Sequence, residues 1–495
     1  MNIAQAKKSI MQTIKLYLKK DRYGMYTIPV VRQRPVFLLG APGIGKTAII
    51  EQIASEMGLA LVSYSMTHHT RQSALGLPYI EKKNYGGSEV SVSEYTMSEI
   101  IASVYDTMEE SGLKEGILFL DEINCVSETL YPSMLQFLQY KVFGRHKVPE
   151  GWVVVTAGNP PEYNRMVREF DVVTMDRLKL MEVEADKKAW MEYAVNQQVH
   201  AAILGYLELK DEHFYIMELT ESGREYVTAR GWEDLSRMLK ACEEEDMEAD
   251  EALMAQYLHH DTVVKEFAAY YELYRKYEKD YSPVEILEGR ATELMTERLG
   301  NAPFDERILL AGMLCERVES DMKEVLLRAK ALGIVQGWLL RCNGQDDTAE
   351  QLNRFMETRQ KQQEQLEAAG AVNDDDRIID RIVRDMVKTI ISGSEGLQDE
   401  PYQNAKMKYA SLLEELKDRA GKVKAELSAM FSFAEKAFGE DSQEILLLIT
   451  RLTVNDHAAQ FIAGFGSEDY SRLSAKVYAH ETRQQLKDAI SKLEL

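Results

Sequence analysis

A glycine-rich loop that ends in Lys-Thr is the part of the sequence with the most specific chemistry. It reads Gly-Ala-Pro-Gly-Ile-Gly-Lys-Thr, follows the apolar segment Pro35–Leu39 and opens the helical pattern Ala48–Met57. In this strand–loop–helix context the glycines let main-chain N–H groups converge on phosphate oxygens at a helix N-terminus. The pattern predicts that Lys46 reaches the β- and γ-phosphates and that Thr47 ligates Mg²⁺. The predicted nucleotide-binding residues of this loop are Gly40, Ala41, Pro42, Gly43, Ile44, Gly45, Lys46 and Thr47.

Two acidic residues follow a second apolar strand. The run Gly116–Leu120 ends in Asp121 and Glu122. An acid at the carboxyl end of such a strand can ligate Mg²⁺, and the next acid can orient and deprotonate a water molecule. We therefore predict that Asp121 and Thr47 bind the metal and that Glu122 is the catalytic base. The alternative is an ordinary solvated loop, which the phosphate-binding loop makes less attractive.

A single asparagine ends a third apolar strand. Trp152–Thr156 runs into Ala-Gly-Asn-Pro, so that Asn159 lies just past the strand. Its amide could hold the water that Glu122 activates, which makes Asn159 a candidate catalytic residue. The alternative is that Asn159 only forms a turn before Pro160.

The distribution of proline divides the chain into two regimes. Eight of the eleven prolines fall by residue 161, so we expect strands and loops in the first third and helices in the rest. Strands alternating with helices predict a parallel sheet covered by helices on both faces. The predicted strands are Val36–Leu39, Leu59–Tyr64, Ile117–Leu120 and Trp152–Thr156. The clearest predicted helices are Thr47–Met57, Glu128–Tyr140, Ala185–Leu204, Trp232–Glu244 and Glu251–Tyr277, with a long helix or helical hairpin over Asn404–Phe438.

Composition narrows the class of protein. The 495 residues include 59 Lys and Arg against 81 Asp and Glu, a formal net charge of −22 that disfavours a nucleic-acid-coating protein. No apolar run approaches the roughly 20 residues that span a bilayer, so we expect no membrane insertion. Lysines interrupt the first twenty residues, which lack a secretory signal pattern, and the four cysteines form no close pair. These features predict a cytoplasmic protein with free thiols.

The three strand ends together resemble those of AAA+ ATPases, and local details resemble the MoxR group. Those details are the segment Leu138–Pro149 before Ala-Gly-Asn-Pro, and Gly-Leu-Pro at 76–78 upstream of Tyr95-Thr96. The resemblance covers residues 1 to about 275. It implies that the glycine-rich loop is the Walker A motif, that Asp121 and Glu122 are the Walker B acids and that Asn159 is sensor 1.

The same resemblance points to two arginines. Met-Asp-Arg-Leu at 175–178 resembles the element that carries the arginine finger, with Leu178 in place of the usual aromatic residue, so Arg177 is the first candidate. Arg165 and Arg168 are alternatives for this role. Thr-Ala-Arg-Gly at 228–231 resembles the sensor 2 motif and assigns Arg230 to the γ-phosphate. Either Arg177 or Arg230 could instead be an ordinary surface charge.

The resemblance also implies an architecture and a function. It implies a P-loop NTPase αβα core at 1–182 and an all-helical lid at 183–295. Beyond the resemblance, proline placement and helical periodicity predict an all-helical C-terminal region at 296–495 that could dock a partner or form an arm. The implied activity is hydrolysis of ATP with Mg²⁺ in a homo-oligomeric, hexameric ring. The ring would remodel or assemble a protein client in a chaperone-like manner, with a von Willebrand A domain protein as an implied partner.

Two other classes of function remain open from the sequence. A helicase-like motor would place basic residues on a pore hairpin, and Lys141, Arg145 and Lys147 fit that placement. The net charge argues against it. A non-hydrolysing scaffold would use ATP only to fix its oligomeric state.

Overall fold

The computed structural model describes residues 1–163, 167–220, 223–342, 348–392 and 401–477. The strands are β1 (Val36–Gly40), β2 (Ala60–Ser65), β3 (Pro78–Tyr85), β4 (Ser88–Tyr95), β5 (Gly116–Asp121), β6 (Val142–Phe143), β7 (His146–Lys147), β8 (Trp152–Gly158), β9 (Lys179–Val183), β10 (Ile216–Thr220) and β11 (Gly223–Val227). The helices up to residue 254 are α1 (Ile3–Tyr17), α2 (Lys46–Met57), α3 (Arg71–Leu75), α4 (Glu99–Ser111), α5 (Tyr131–Tyr140), α6 (Val172–Met175), α7 (Lys187–Asn196), α8 (Ala201–Leu209), α9 (Ala229–Glu244) and α10 (Glu251–Met254). The remaining helices are α11 (Asp261–Tyr281), α12 (Pro283–Leu287), α13 (Glu293–Gly300), α14 (Phe304–Cys342), α15 (Thr348–Ala368), α16 (Asp374–Ser392), α17 (Pro401–Phe438), α18 (Gln443–Val454) and α19 (Asp456–Phe465).

The chain divides into two compact units. The first contains Met1–Ala189 together with Phe355–Arg377, and the second contains Trp190–Arg354 and Ile378–Leu495. No sequence pattern indicated that residues 355–377 join the N-terminal unit. The division into 1–182, 183–295 and 296–495 stays a prediction.

A five-stranded parallel sheet forms the centre of the first unit. Its strand order is β2-β5-β8-β1-β9, and every neighbouring pair is parallel. The two strands β5 and β8 are buried along almost their whole length, as expected for strands covered on both faces. The predicted fold class, an αβα core followed by a mostly helical region, is confirmed, and so are the four predicted strands. The sequence did not predict β9, because exposed and buried residues alternate along this edge strand.

Segments distant in sequence cover both edges of this sheet. At β9, the terminal amino group of Met1 donates to the Glu182 carbonyl at 2.9 Å, and the Glu184 N–H donates to the Met1 carbonyl. At β2, the Leu61 N–H donates to the Ala369 carbonyl at 2.8 Å, and Ala369 is fully buried in the core of this unit. Residues 355–377 therefore help to close an edge that would otherwise expose unpaired main-chain groups.

Two antiparallel hairpins, β3–β4 and β6–β7, belong to the first unit. The β3–β4 hairpin carries Glu94, which is almost fully buried and forms ion pairs with Lys83 at 2.5 Å and with Arg145 at 2.7 Å. Arg145 belongs to the turn of the β6–β7 hairpin, so this carboxylate ties the two hairpins together. Lys141, at the base of the second hairpin, is buried and donates from Nζ to the Leu138 carbonyl at 2.6 Å.

The second unit is mostly helical and corrects three sequence expectations. The segment 183–295 is not all-helical, because β10 and β11 form a hairpin within it. The helix predicted over Ala185–Leu204 is two helices, α7 and α8, separated by a turn in which Gln198 has a positive φ of 54°. The helix predicted over Glu251–Tyr277 is also interrupted, because His260 caps the start of α11. The long helix α17 is continuous rather than a helical hairpin.

A buried ion pair joins α14 and α18 within the second unit. Arg451 donates from Nε to Glu319 Oε1 at 3.0 Å and from Nη2 to Glu319 Oε2 at 2.9 Å. Only 1% of Glu319 and 8% of Arg451 is exposed. Burial raises the pKa of Glu319, and the charge of Arg451 opposes this shift. Across the described residues, no helix combines the length and the apolar character that crossing a membrane would demand.

We expect Arg451→Met to destabilise the second unit by about 3–5 kcal/mol, because Glu319 would remain buried without its counter-charge. The double variant Glu319→Leu/Arg451→Met should recover most of this loss, since both charges are then removed. Urea unfolding of the three proteins, with amide exchange in α14 and α18 as the local probe, measures both effects. Arg237→Met is the matched control: Arg237 is 69% exposed, so its loss should cost at most about 1 kcal/mol. Equal costs at positions 237 and 451 would contradict the prediction.

Lys141 should make the first unit more stable at high pH. Burial lowers the pKa of Lys141 to about 7, whereas in the unfolded chain it lies near its ordinary value of about 10.4. The folded state therefore binds fewer protons between these two values, and the free energy of unfolding should rise as the pH rises through this window. Lys141→Met should stabilise the unit by on the order of 4 kcal/mol at pH 7, with a gain that shrinks toward pH 10.

Urea midpoints measured from pH 6 to pH 10 test this prediction. Lys147→Met in the same hairpin is the control, because Lys147 is exposed and should show no such pH-dependent gain. A Lys141→Met variant that is no more stable than the wild type at pH 7 would show that the charge is solvated.

Candidate functional site

The predicted phosphate-binding loop connects β1 to α2 in the first unit. Gly43 and Gly45 have positive φ angles of 74° and 93°, which L side chains rarely adopt. Gly40 is needed for another reason: a Cβ there would lie 2.5 Å from the Val183 carbonyl oxygen of β9. A Cβ at Gly45 would meet no atom of the described residues within 4 Å, so the loop presents its main chain to open space. The loop therefore has the shape that close approach of a phosphate requires.

Lys46 lies in the first turn of α2, and only 8% of it is exposed. Its ammonium group donates to the Gly40 carbonyl, to the Ala41 carbonyl and to Asn159 Oδ1, each at 2.8 Å. These contacts match the three donors of an ammonium group. Lys46 thus bridges the glycine-rich loop and the end of β8, which are the two segments that the sequence assigned to one site.

Thr47 and Asp121 are in direct contact. Thr47 Oγ1 donates to Asp121 Oδ2 at 2.9 Å, and the Glu122 N–H donates to Asp121 Oδ1 at 2.9 Å. A hydroxyl next to a carboxylate is an oxygen donor set of the kind that Mg²⁺ prefers. The residues present therefore fit a magnesium ion held by Thr47 and Asp121.

Glu122 is held by two hydroxyl groups that the sequence analysis missed. Ser65 Oγ and Thr67 Oγ1 both donate to Glu122 Oε2 at 3.0 Å. Ser65 ends β2 and lies opposite Asp121 in the register of the sheet. Glu122 itself has a left-handed backbone with a φ of 55°, which is strained for a residue with a side chain. The only available sequence signal was the position of these hydroxyls just after a predicted strand.

Asn159 follows β8 and is half-buried. Besides accepting the bond from Lys46, it accepts a hydrogen bond at its main-chain carbonyl from Asn124 Nδ2 at 2.8 Å. Asn124 was not among the predicted site residues. It comes two positions after Glu122, in the turn Ile123–Cys125 that follows β5.

A buried thiol lies next to the two acids. Cys125 is 4% exposed, and burial, followed by the charges of Glu122 and Asp121, raises the pKa of its thiol. The thiol therefore stays protonated at neutral pH and adds no further negative charge to the site. All four cysteines of the chain are buried thiols.

Two of the arginines predicted from the sequence, Arg168 and Arg177, lie in the described part of the first unit. Arg177 is half-buried between α6 and β9; hydrogen bonds from Thr174, and then the charge of Arg177, lower the pKa of Asp171. Arg168 is paired with Glu128 at 2.5 Å. Arg165 lies outside the described residues. The side chains of Arg168 and Arg177 are not among the contacts of the site described above.

Arg230 belongs to the second unit. It is exposed in the first turn of α9, and Thr228 caps this helix by accepting from the Gly231 N–H at 3.1 Å. The role of Arg230 toward a nucleotide stays a prediction.

The structure thus brings together five predicted site residues within the first unit. They are Lys46, Thr47, Asp121, Glu122 and Asn159. A glycine-rich loop with open space at Gly45, an ammonium group and a hydroxyl–carboxylate pair together fit a nucleoside triphosphate with Mg²⁺. The arrangement can bind the phosphates, neutralise their charge and hold a carboxylate for a water molecule.

Comparison with known proteins agrees with this geometry. No curated protein matches the chain significantly. Residues 36–171 match the family described as "ATPase family associated with various cellular activities (AAA)", over a segment that begins at β1 and ends at the N-cap of α6. The matched segment contains all five residues of the site. The match supports an AAA-type ATPase domain over residues 36–171.

Proposed function

We propose that this protein is an AAA+ ATPase of the MoxR type, which hydrolyses Mg-ATP in a homo-oligomeric ring and uses the energy to remodel or assemble a protein partner. The observation that carries the ATPase part is the convergence of Lys46, Asn159, Thr47 and Asp121 through hydrogen bonds of 2.8–2.9 Å. Such a combination has no use in a purely structural loop. The MoxR type, a hexameric ring and a von Willebrand A domain partner rest on the sequence resemblance.

Lys46 provides the first step of the proposed mechanism. Its ammonium group donates to three protein acceptors, so binding of ATP must exchange at least part of these bonds for phosphate oxygens. The exchange would release Asn159 Oδ1 to accept a hydrogen bond from the attacking water. Binding of ATP and release of Asn159 Oδ1 for the attacking water would then both depend on Lys46.

Glu122 would accept the proton of that water. Its Oε2 is held by Ser65 and Thr67, and among the described residues none is hydrogen-bonded to Oε1, the oxygen that can face the water. The two hydroxyls orient the carboxylate without consuming both of its oxygens. Thr47 and Asp121 would hold Mg²⁺, which when bound neutralises charge on the phosphates.

The structure weighs against the helicase-like alternative. That alternative needs basic side chains on the β6–β7 hairpin that can reach phosphates. Lys141 is instead buried, and Arg145 is paired with the buried Glu94. This leaves Lys147, which is exposed, as the one available lysine or arginine of the three. Together with the net charge of −22, this favours a protein client.

We expect Lys46→Ala to abolish nucleotide binding, and Glu122→Gln to retain binding while lowering kcat by about 100-fold or more. The reason is that the ammonium contributes binding energy in the ground state, whereas the carboxylate acts on the proton transferred during hydrolysis. Steady-state phosphate release and titration with a fluorescent ATP analogue measure the two effects.

Glu89→Gln is the matched control for Glu122→Gln, because Glu89 is an exposed carboxylate on β4 of the same unit. It should hydrolyse ATP like the wild type. If Glu122→Gln and Glu89→Gln release phosphate equally fast, the protein binds ATP as a scaffold and the catalytic assignment is wrong. If the wild type binds no adenine nucleotide, the whole proposal is wrong.

We further expect Arg177 to act on the nucleotide of a neighbouring subunit. Arg177→Ala and Glu122→Gln should each be inactive alone, but an equal mixture should recover activity at about a quarter of its interfaces. Recovery arises because the Glu122→Gln subunit can still supply Arg177 to an intact site next to it. Phosphate release after mixing measures this complementation.

Arg168→Ala tests whether Arg168, rather than Arg177, acts on the nucleotide of the neighbouring subunit. Arg168 is engaged by Glu128 in its own subunit and its guanidinium lies 5.7 Å from the centre of the Tyr131 ring, so we expect the variant to retain hydrolysis. Complementation by Arg168→Ala instead of Arg177→Ala would transfer the role to Arg168. Absence of complementation by either variant would argue against catalysis between subunits.

A further inference from the structure

We propose that Asn124 is a positioning residue for ATP hydrolysis, whose side-chain amide fixes the end of β8 so that the Asn159 side chain faces Lys46. This inference rests on the proposed function, and it assigns a role to a residue outside the predicted site. Asn124 Nδ2 donates to the Asn159 carbonyl at 2.8 Å, and only 3% of Asn124 is exposed. The bond joins the segment that carries the two acids to the segment that carries Asn159.

The main chain of Asn124 is anchored on both sides. The Cys125 N–H donates to the Glu122 carbonyl at 2.9 Å, which closes the turn after the acids. The Arg168 N–H donates to the Asn124 carbonyl, also at 2.9 Å. Because this turn is held in place, the Asn124 amide has little freedom to move with a displaced Asn159. The amide can therefore fix the position of Asn159. The position of the Asn159 main chain is thereby set relative to Glu122.

Gly158 provides the space for this amide. A Cβ at Gly158 would lie 2.4 Å from Asn124 Oδ1 and 2.8 Å from its Cγ, so no side chain can be accommodated there without moving Asn124. The amide is also oriented by its partner, since only the NH₂ group can donate to the Asn159 carbonyl. The lack of a side chain at Gly158 therefore makes room for the Asn124 amide.

The contact carries a cost that packing alone does not explain. Within the described part of the chain, Asn124 Oδ1 is buried and has no hydrogen-bond partner. A buried acceptor without a partner is unfavourable by about 1–3 kcal/mol, and an apolar side chain of similar size would avoid this cost. A bond that serves to position Asn159 accounts for an amide at this site.

The contact between Asn124 and Asn159 should affect the rate of ATP hydrolysis rather than the affinity for ATP. Asn159 Oδ1 accepts from Lys46 at 2.8 Å, so a shift of the β8 end changes where the amide of Asn159 meets the reacting groups. In the proposed function the phosphates would be bound by the loop that begins at Gly40 and by Lys46, and Asn124 makes none of the loop's contacts given above. A misplaced orienting group lowers the rate much more than it lowers the affinity. Loss of the Asn124 amide should therefore reduce kcat and leave nucleotide binding nearly unchanged.

The test compares two variants that break the same contact from opposite sides. In the full-length protein, Asn124→Ala removes the amide and Gly158→Ala displaces it with a new Cβ. Both should lower kcat on the order of 100-fold, while KM for ATP and the Kd of a fluorescent ATP analogue stay within about threefold of the wild type. Asn84→Ala, at an exposed position of β3, and Gly333→Ala, where a Cβ meets none of the described residues within 4 Å, are the matched controls and should leave kcat unchanged.

A double-mutant cycle distinguishes positioning from a general structural role. If Asn124 acts through Asn159, then Asn124→Ala/Asn159→Ala should be no slower than Asn159→Ala alone. Losses that multiply, a kcat equal to that of the wild type, or a rise in KM at constant kcat would each overturn the inference. If either variant loses nucleotide binding altogether, the residue is structural and the inference is likewise overturned.

The same measurements distinguish a failure of the proposed function from a failure of the role of Asn124. A wild-type protein that releases no phosphate contradicts the proposed function itself. A wild type that hydrolyses ATP in a Glu122-dependent manner, alongside an unaffected Asn124→Ala, contradicts only the role of Asn124.

Discussion

The hydrogen bond between Lys46 and Asn159 depends on two strands that lie side by side in a parallel sheet. Because β1 and β8 are direct neighbours, the loop after β1 and the residue after β8 emerge at the same edge. On the other side of β8, β5 delivers Asp121 and Glu122 to that edge, and β2 delivers Ser65. The carboxyl ends of parallel strands meet there by geometry, so the sheet order determines which side chains share the site.

A strained backbone and a buried acceptor without a partner lie close together at this edge. Glu122 has a left-handed backbone, and Asn124 keeps a buried acceptor without a partner among the described residues. Each feature is unfavourable for folding by itself, and they lie two residues apart. Folded proteins tolerate such costs where the surrounding contacts hold the chain, and here Ser65, Thr67 and Asn159 supply those contacts. Unfavourable groups that are held in place by surrounding contacts are characteristic of a functional site.

The first unit also depends on residues from far along the chain. The Leu61–Ala369 hydrogen bond covers the β2 edge, and β2 ends in the hydroxyl that holds Glu122. Residues 355–377 are therefore part of the unit that carries the ATPase domain, although the family match ends at residue 171. Removing the C-terminal half of the chain would expose this edge, so the two halves cannot be regarded as independent modules joined end to end.

Several elements were predictable and several were not. The apolar runs of β1, β5 and β8 are buried on both faces, so hydrophobicity alone revealed them, whereas the alternating pattern of β9 resembles a surface segment. The break between α7 and α8 was missed because no glycine or proline marks the turn, in which Gln198 has a positive φ of 54°. The β10–β11 hairpin was missed for a related reason: its short strands lie inside a region of otherwise helical pattern.

The sequence by itself determined the chemistry that depends on neighbouring residues. The loop from Gly40 to Thr47, the two acids after β5 and the asparagine after β8 are local patterns, and the roles predicted for them follow from residue types at short spacing. Only the tertiary structure decided that Asn124 supports Asn159, that Ser65 and Thr67 hold Glu122, and that Lys141 is buried. These contacts join residues brought together by strand order, register and packing, and such long-range proximity leaves no periodic trace in the sequence.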